Sequence, residues 1–261
     1  MNVKIGIPVP TSGDLEYNRK SGPEYAEAVR QAGGEVVELD LRLGVAALGA
    51  LATACDGFVL PGSPADVDPA LYGQERHEGT APADPEREAC DLRLLEHAAV
   101  KGKPVLAICF GAQRLNVWCG GSLVQDLAPV PVNHEAGGSV AVAHSVWVAP
   151  QSLLAGLLSG AEAPLDGEFR RLAVNSSHHQ AVSAPGDDLA VVARSVEDGV
   201  IEAVEGRVGK AAMIGVQWHP ERSVGISAAS RALFTWLVAE AEDAAMNRGA
   251  ELAGGPPADV V

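Results

Sequence analysis

Short apolar runs alternate with amphipathic stretches through the first half of the chain. Val3–Ile7 is apolar apart from Lys4 and Gly6 and reads as a buried strand. Between Glu24 and Ala32, Tyr25, Ala28 and Val29 fall on one helical face, and Gly33-Gly34 supplies the stop. Val36–Leu39 predicts a second strand. Gly57–Leu60 predicts a third, closed by Pro61-Gly62. Asp84-Pro85 opens another helix, with Asp as N-cap and Pro at the first position. Ala89, Leu92, Leu95 and Ala98 keep its helical period until Gly102 and Pro104. Val105–Ile108 is wholly apolar, as a strand covered on both faces should be. The order βαβαβ predicts a mainly parallel sheet with flanking helices.

The second half reads differently. Val140–Val148, Leu172–Val174, Leu189–Ser195, Ile201–Val204 and Ala211–Val216 are short strand-like segments separated by turn residues. They predict antiparallel additions to the same sheet. Ala228–Ala245 reads as a final helix. Together these elements predict an α/β three-layer sandwich in one domain over residues 1–245. A disordered tail is expected over 246–261, where Gly254-Gly255-Pro256-Pro257 offers nothing to pack.

Composition narrows the function. The 261 residues carry a net charge of −15, and 47% of them are hydrophobic, enough for a full core. Nucleic acid and anionic membrane surfaces are poor partners for so acidic a chain. The apolar stretch Leu43 to Cys55 ends at Asp56 and falls well short of the ~20 residues of a bilayer span. The N-terminus lacks the long apolar run of a signal peptide. Cys55, Cys90, Cys109 and Cys119 form no Cys-x-x-Cys pair and read as free thiols of a reducing cytoplasm.

Four segments carry candidate chemistry. In Ile108-Cys109-Phe110-Gly111-Ala112-Gln113 a buried strand runs into a cysteine, a glycine turn and a helix. That is the geometry of a nucleophile elbow, and the helix N-terminus favours a thiolate. Alone, the same residues also fit a buried structural thiol. In Gln217-Trp218-His219-Pro220-Glu221, His219 ends an apolar strand, and Glu221, two residues on along an extended segment, can reach the ring nitrogen facing away from the thiol. Leu60-Pro61-Gly62-Ser63 ends a strand in a turn that can expose backbone N–H groups. An oxyanion hole would use the Phe110 N–H with that of Ser63 or Gly62; an ordinary turn is the plainer reading. In Asn175-Ser176-Ser177-His178-His179-Gln180 the adjacent histidines invite a metal. Their side chains diverge and no carboxylate or Cys lies nearby in sequence, so no metal is expected and a polar pocket-lining loop is the reading.

Together these segments resemble the class I glutamine amidotransferase superfamily, whose fold is flavodoxin-like, and within it the gamma-glutamyl-gamma-aminobutyrate hydrolase family. The resemblance covers about Val3 to Leu237. It rests on Pro61-Gly62-Ser63-Pro64, Asp68-Pro69, Tyr72-Gly73, the Cys109 elbow with Gln113, Gly120-Gly121-Ser122-Leu123, Asn175 to Gln180 and Trp218-His219-Pro220-Glu221. It implies Cys109 as nucleophile, His219 as base and Glu221 as its orienter. It also implies that Gln113 and the His178-His179-Gln180 loop hold the α-amino and α-carboxylate groups of a glutamyl substrate. No cofactor is implied. Family members commonly have Arg after the nucleophile, where this chain has Phe110.

The activity so implied is hydrolysis of a gamma-glutamyl amide through a Cys thioester. From Gly62 to Asp91 eight acids face only Arg76 and Arg87, which points to a negative mouth and a cationic leaving amine such as a polyamine; a solvated face would explain the same charges. The expected partner is a small gamma-glutamyl molecule, with a homodimer as a possible assembly. Two other readings are a glutaminase subunit delivering ammonia to a synthetase, and a non-catalytic protein that keeps the pocket.

Overall fold

The computed structural model describes residues 3–127 and 130–253. Its first half winds β1 (Lys4–Pro8), α1 (Leu15–Gln31), β2 (Glu35–Leu39), α2 (Val45–Ala54), β3 (Gly57–Leu60), α3 (Pro85–Lys101), β4 (Val105–Ile108) and α4 (Phe110–Trp118). Then follow β5 (Ser122–Val124), β6 (His144–Val148), α5 (Leu153–Leu157), β7 (Leu165–Asp166), β8 (Phe169–Val174), β9 (Ala181–Ala184), β10 (Leu189–Ser195), β11 (Ile201–Val208), β12 (Ala211–Val216) and α6 (Ala228–Ala253).

All twelve strands join one sheet, ordered β2-β1-β3-β4-β12-β11-β10-β6-β8-β7, with β9 pairing β11 and β5. The pairs from β2 to β12 are parallel, and those beyond β12 are antiparallel. This is the expected α/β class. Side-chain alternation divides the core between two faces. Leu106 and Ile108 join Ile5, Val59 and Ile214 under Tyr25, Phe234 and Leu237. Val105 and Ala107 join Phe58, Leu60 and Met213 under Leu48, Leu94 and Leu115. Each fully buried aliphatic or phenyl side chain contributes about 1.5–3 kcal/mol, so the wholly apolar β4 has a strong preference for the middle of the sheet.

Local chemistry explains where expectation and structure part. α3 begins where the sequence predicts, with the Asp84 carboxylate accepting from the Arg87 N–H and Gly102 closing the helix at φ 67°. α1 begins earlier than Glu24, because Asp14 caps it by accepting from the Glu16 and Tyr17 N–H groups, and it carries Pro23 within. α2 has no expected counterpart. Its uniform Ala/Leu/Gly run has no periodicity, and only Leu48 and Ala52 are buried. The final helix passes Ala245 and reaches Ala253, so a tail beginning at 246 is corrected; 254–261 lie outside the described residues. Among the described residues no helix is long and apolar enough to cross a membrane.

Candidate active site

β4 lies between β3 and β12, all parallel, so its C-terminal end opens at the centre of the sheet, where ligands bind in such folds. Cys109 follows immediately. Its φ of 52° and ψ of −110° are unusual for a residue with a side chain and cost about 1–3 kcal/mol. The surroundings hold it there. Its N–H donates to the Val216 carbonyl at 2.8 Å, and its carbonyl accepts from the Gln113 N–H at 3.1 Å. Gly111 lets α4 pass against the Leu60 backbone, where a Cβ would overlap the Leu60 carbonyl oxygen. The turn thus sets Cys109 at the N-terminus of α4.

His219 follows the end of β12 by three residues, caps the Pro220–Arg222 turn and is clasped by Asn175. The His219 N–H donates to Asn175 Oδ1, and Asn175 Nδ2 donates to the His219 carbonyl, both at 2.8 Å. His219 Nδ1 and Glu221 Oε1 are 2.7 Å apart, with both side chains buried. Glu221 reaches the ring from a 3-10 turn, Pro220–Arg222, rather than from the extended segment expected. Burial alone would lower the imidazole, but the charges of Glu221 and Cys109 raise His219 to about 9. A Cβ on Gly62 would lie 3.0 Å from His219 Cε1 and 3.6 Å from Cys109 Cβ, so the three segments meet at one point.

The oxyanion candidates separate on hydrogen bonding. The Gly62 N–H donates to the Tyr25 hydroxyl at 3.1 Å and is spent. Among the described residues the Ser63 N–H has no partner, and the Phe110 N–H precedes the first bond within α4. Ser63 and Phe110 line one cavity of about 300 Å³ with Cys109, Asp66, Gln113, Glu135 and the 177–180 loop.

The expected substrate residues divide likewise. Gln113 Nε2 is committed to the Gln180 carbonyl at 3.0 Å and Gln217 Oε1 at 3.2 Å. The His179 and Gln180 N–H groups have no partner among the described residues. The His179 ring sits between Asp66 and Asp126, whose carboxylates raise it to about 9 despite partial burial. His178 turns away from it, with Nε2 3.5 Å from Glu202 Oε1. No carboxylate lies beside these histidines in sequence, but the fold brings three to them from distant positions, Asp66, Asp126 and Glu202.

Phe110 is buried, with the Arg87 guanidinium 5.0 Å from its ring centre. Arg87 is itself wholly buried and pairs Asp91 at 2.9 Å. It donates to the carbonyls of Pro10 and Pro61, tying α3 to the Ser63 turn. Much of the acidity read between Gly62 and Asp91 is likewise structural. Asp84 accepts from Thr11 and Ser12, Asp66 from the Ala81 N–H, and Glu88 from the Asp68 N–H. Sequence reasoning gave no role to Tyr25, Asn175, Glu135 or the Arg87–Asp91 pair. Asn175 stood in the 175–180 segment that the sequence singled out, Tyr25 on an apolar helical face, and Arg87–Asp91 at i,i+4 spacing on a helix; Glu135 left no signal.

The model of the Peptidase C26 family matches residues 12–221. The chain belongs to that family. As a Peptidase C26 member it is a cysteine-type amidase or hydrolase. It is 38% identical over 205 residues to a putative glutamine amidotransferase of Mycobacterium tuberculosis, covering 77% of this chain and 62% of that one, less than two thirds of its length. It is 36% identical over 224 residues to a gamma-glutamyl-gamma-aminobutyrate hydrolase of Escherichia coli, covering 82% and 84% of the two chains. In fold it resembles a putative GMP synthase component of Thermoplasma acidophilum, with TM-score 0.67, 15% identity, and 95% and 98% of the chains covered.

Proposed function

We propose that this member of the Peptidase C26 family hydrolyses the gamma-glutamyl amide bond of a gamma-glutamyl amine. The observation that carries the reading is the buried His219–Glu221 pair at 2.7 Å behind Cys109, which itself lines a cavity with unspent N–H donors. The Cys109 sulfur, as thiolate, attacks the side-chain amide carbon. The oxyanion is received by the Ser63 and Phe110 N–H groups; one such donor is worth about 3 kcal/mol of barrier. His219 gives its proton to the departing amine as the C–N bond breaks, leaving a glutamyl thioester on Cys109. Water then gives a proton to His219, its oxygen bonds to the thioester carbon, and the C–S bond breaks to free glutamate and restore the thiolate. Glu221 fixes the ring tautomer throughout. Gln113 Oε1, which accepts no bond among the described residues, suits the substrate ammonium. The His179 and Gln180 N–H groups suit its α-carboxylate.

The leaving amine is read from the rim. Glu135 lines the cavity and favours a cationic amine of polyamine type over gamma-aminobutyrate, while the charge of Asp66 is met by the His179 ring. The four free thiols suit a reducing compartment such as the cytoplasm. The test is a hydrolysis screen at low salt over gamma-glutamyl-putrescine, gamma-glutamyl-gamma-aminobutyrate and glutamine, with Cys109→Ala as the blank. Release of glutamate from the gamma-glutamyl amines, absent in the blank, is expected. Preference for the aminobutyrate conjugate would remove the cationic part of the proposal. Turnover of glutamine alone, accelerated by a synthetase, would replace it with the amidotransferase reading.

A further inference from the structure

Beside the pocket, outside the catalytic group, three histidines and a glutamate converge in the interior. His134 comes from the connection between β5 and β6, His144 from the start of β6, His178 from the loop after β8, and Glu202 from β11. All four are buried, and their ligand atoms lie within 4.8 Å of one another. Glu202 Oε1 is 3.3 Å from His134 Nδ1, 3.4 Å from His144 Nε2 and 3.5 Å from His178 Nε2.

The outer ring nitrogens are already engaged. His134 Nε2 meets Asp198 Oδ2 at 2.9 Å, His178 Nδ1 meets the Gln180 carbonyl at 2.9 Å, and His144 Nδ1 approaches the Ser145 carbonyl at 3.3 Å. Carbonyl and carboxylate oxygens only accept, so each ring proton belongs on its outer nitrogen. That leaves three nitrogen lone pairs and a carboxylate oxygen facing one another. Among the described residues the three inner nitrogens and both Glu202 oxygens have no hydrogen-bond partner. Acceptors stacked this way in a buried site are costly unless something positive stands between them.

We propose that these four side chains form a structural site for a divalent transition-metal ion of zinc type. With metal–nitrogen distances of about 2.0–2.1 Å, a tetrahedron has donor–donor edges of about 3.3 Å, close to the spacing around Glu202 Oε1. Three imidazoles and one carboxylate suit zinc and disfavour calcium or magnesium, which take mostly oxygen ligands. Asp198 and the two carbonyls fix the tautomers as outer partners of metal-bound histidines do. Four protein ligands close the shell, so the ion activates no water. Its effect is to pin the pocket wall. The His178 N–H donates to the His134 carbonyl, and the Gly137 N–H to that of Ser176. The Gln180 carbonyl that steadies His178 also receives Gln113.

The test uses full-length protein purified from zinc-supplemented medium. About one zinc per chain should survive dialysis, by elemental mass spectrometry. Stripping with a strong chelator should lower the melting temperature, and one equivalent of zinc should restore it. Cobalt(II) in place of zinc should give the intense visible bands of a tetrahedral ion. His144→Gln and, separately, His134→Asn should each abolish stoichiometric binding and the zinc-dependent melting shift. Should stripped wild-type protein bind no stoichiometric zinc or cobalt and melt as before, or should the variants bind as tightly as wild type, the proposal falls. The cluster would then be held by shared protons. Metal content and melting report on this independently of glutamate release.

Discussion

Gly111 lies flat against the backbone of Leu60, so close that a Cβ would overlap the Leu60 carbonyl oxygen. The strand that delivers the Ser63 turn and the helix that follows Cys109 are thereby held at backbone contact. Gly111→Ala forces them apart. The obstacle is backbone, which cannot swing away as a side-chain end can, so the cost should reach or exceed the ~1–3 kcal/mol of ordinary overpacking. Glutamate release should fall more steeply than stability. Thermal melting and steady-state kinetics on one preparation check this; unchanged kinetics would mean that α4 has room to shift.

The His219 pair sets a pH limit. Glu221 and Cys109 raise the imidazole to about 9, above its ordinary 6.5. A group raised on folding adds stability that is full below the unfolded value and lost as pH rises through the folded one. The contribution here is present below about 6.5 and fades toward about 9. The alkaline limb of kcat/KM should fall near the same upper value, as an apparent constant of the coupled pair. Glu221→Gln removes the largest raising influence, so the limb should move toward neutrality. A pH–rate profile of both proteins decides it; an unmoved limb assigns the titration elsewhere.

How much of this could be read from the chain follows from which interactions are local. β4, the Asp84 cap and the cysteine elbow are short-range features, legible as an apolar run, a capping residue and a glycine two residues past a cysteine. α2 was illegible because its run of Ala and Leu, broken only by Val45, Gly49 and Thr53, gives no polar–apolar period. The Asn175 clasp on His219 spans 44 residues and Arg87 to Pro10 spans 77, and nothing in a local pattern encodes such pairings. Sequence favoured Ser63 as the donor but left Gly62 as an alternative. The Tyr25 hydroxyl separates them, and it arrives from α1.

The Arg87–Asp91 pair beneath Phe110 predicts asymmetry between single and double variants. Arg87→Leu strands a buried carboxylate and the Pro10 and Pro61 carbonyls, and should cost about 3–5 kcal/mol. Arg87→Leu with Asp91→Leu removes both charges together and should recover part of that loss. The Pro61 carbonyl stays unpaired in both, so activity should recover less than stability. Denaturant melts of the wild type, Arg87→Leu, Asp91→Leu and the double variant test the coupling; additive losses would show that the two side chains act separately.

Asn175 offers the sharpest separation of positioning from binding. Its amide bonds to both backbone groups of His219 and, among the described residues, makes no hydrogen bond to Cys109 or Glu221. Asn175→Ala leaves a buried N–H and C=O unpaired, at about 1–3 kcal/mol between them and the loosened strand end. The imidazole loses its fixed position relative to Cys109, while the cavity lining, which does not include Asn175, is unchanged. We therefore expect kcat to fall roughly 10–100-fold with KM nearly constant. Asn175→Asp keeps the acceptor for the His219 N–H and loses only the donor, so it should lose less. A rise in KM with kcat preserved would show instead that Asn175 shapes the substrate pocket, and its role as a positioning residue would be wrong.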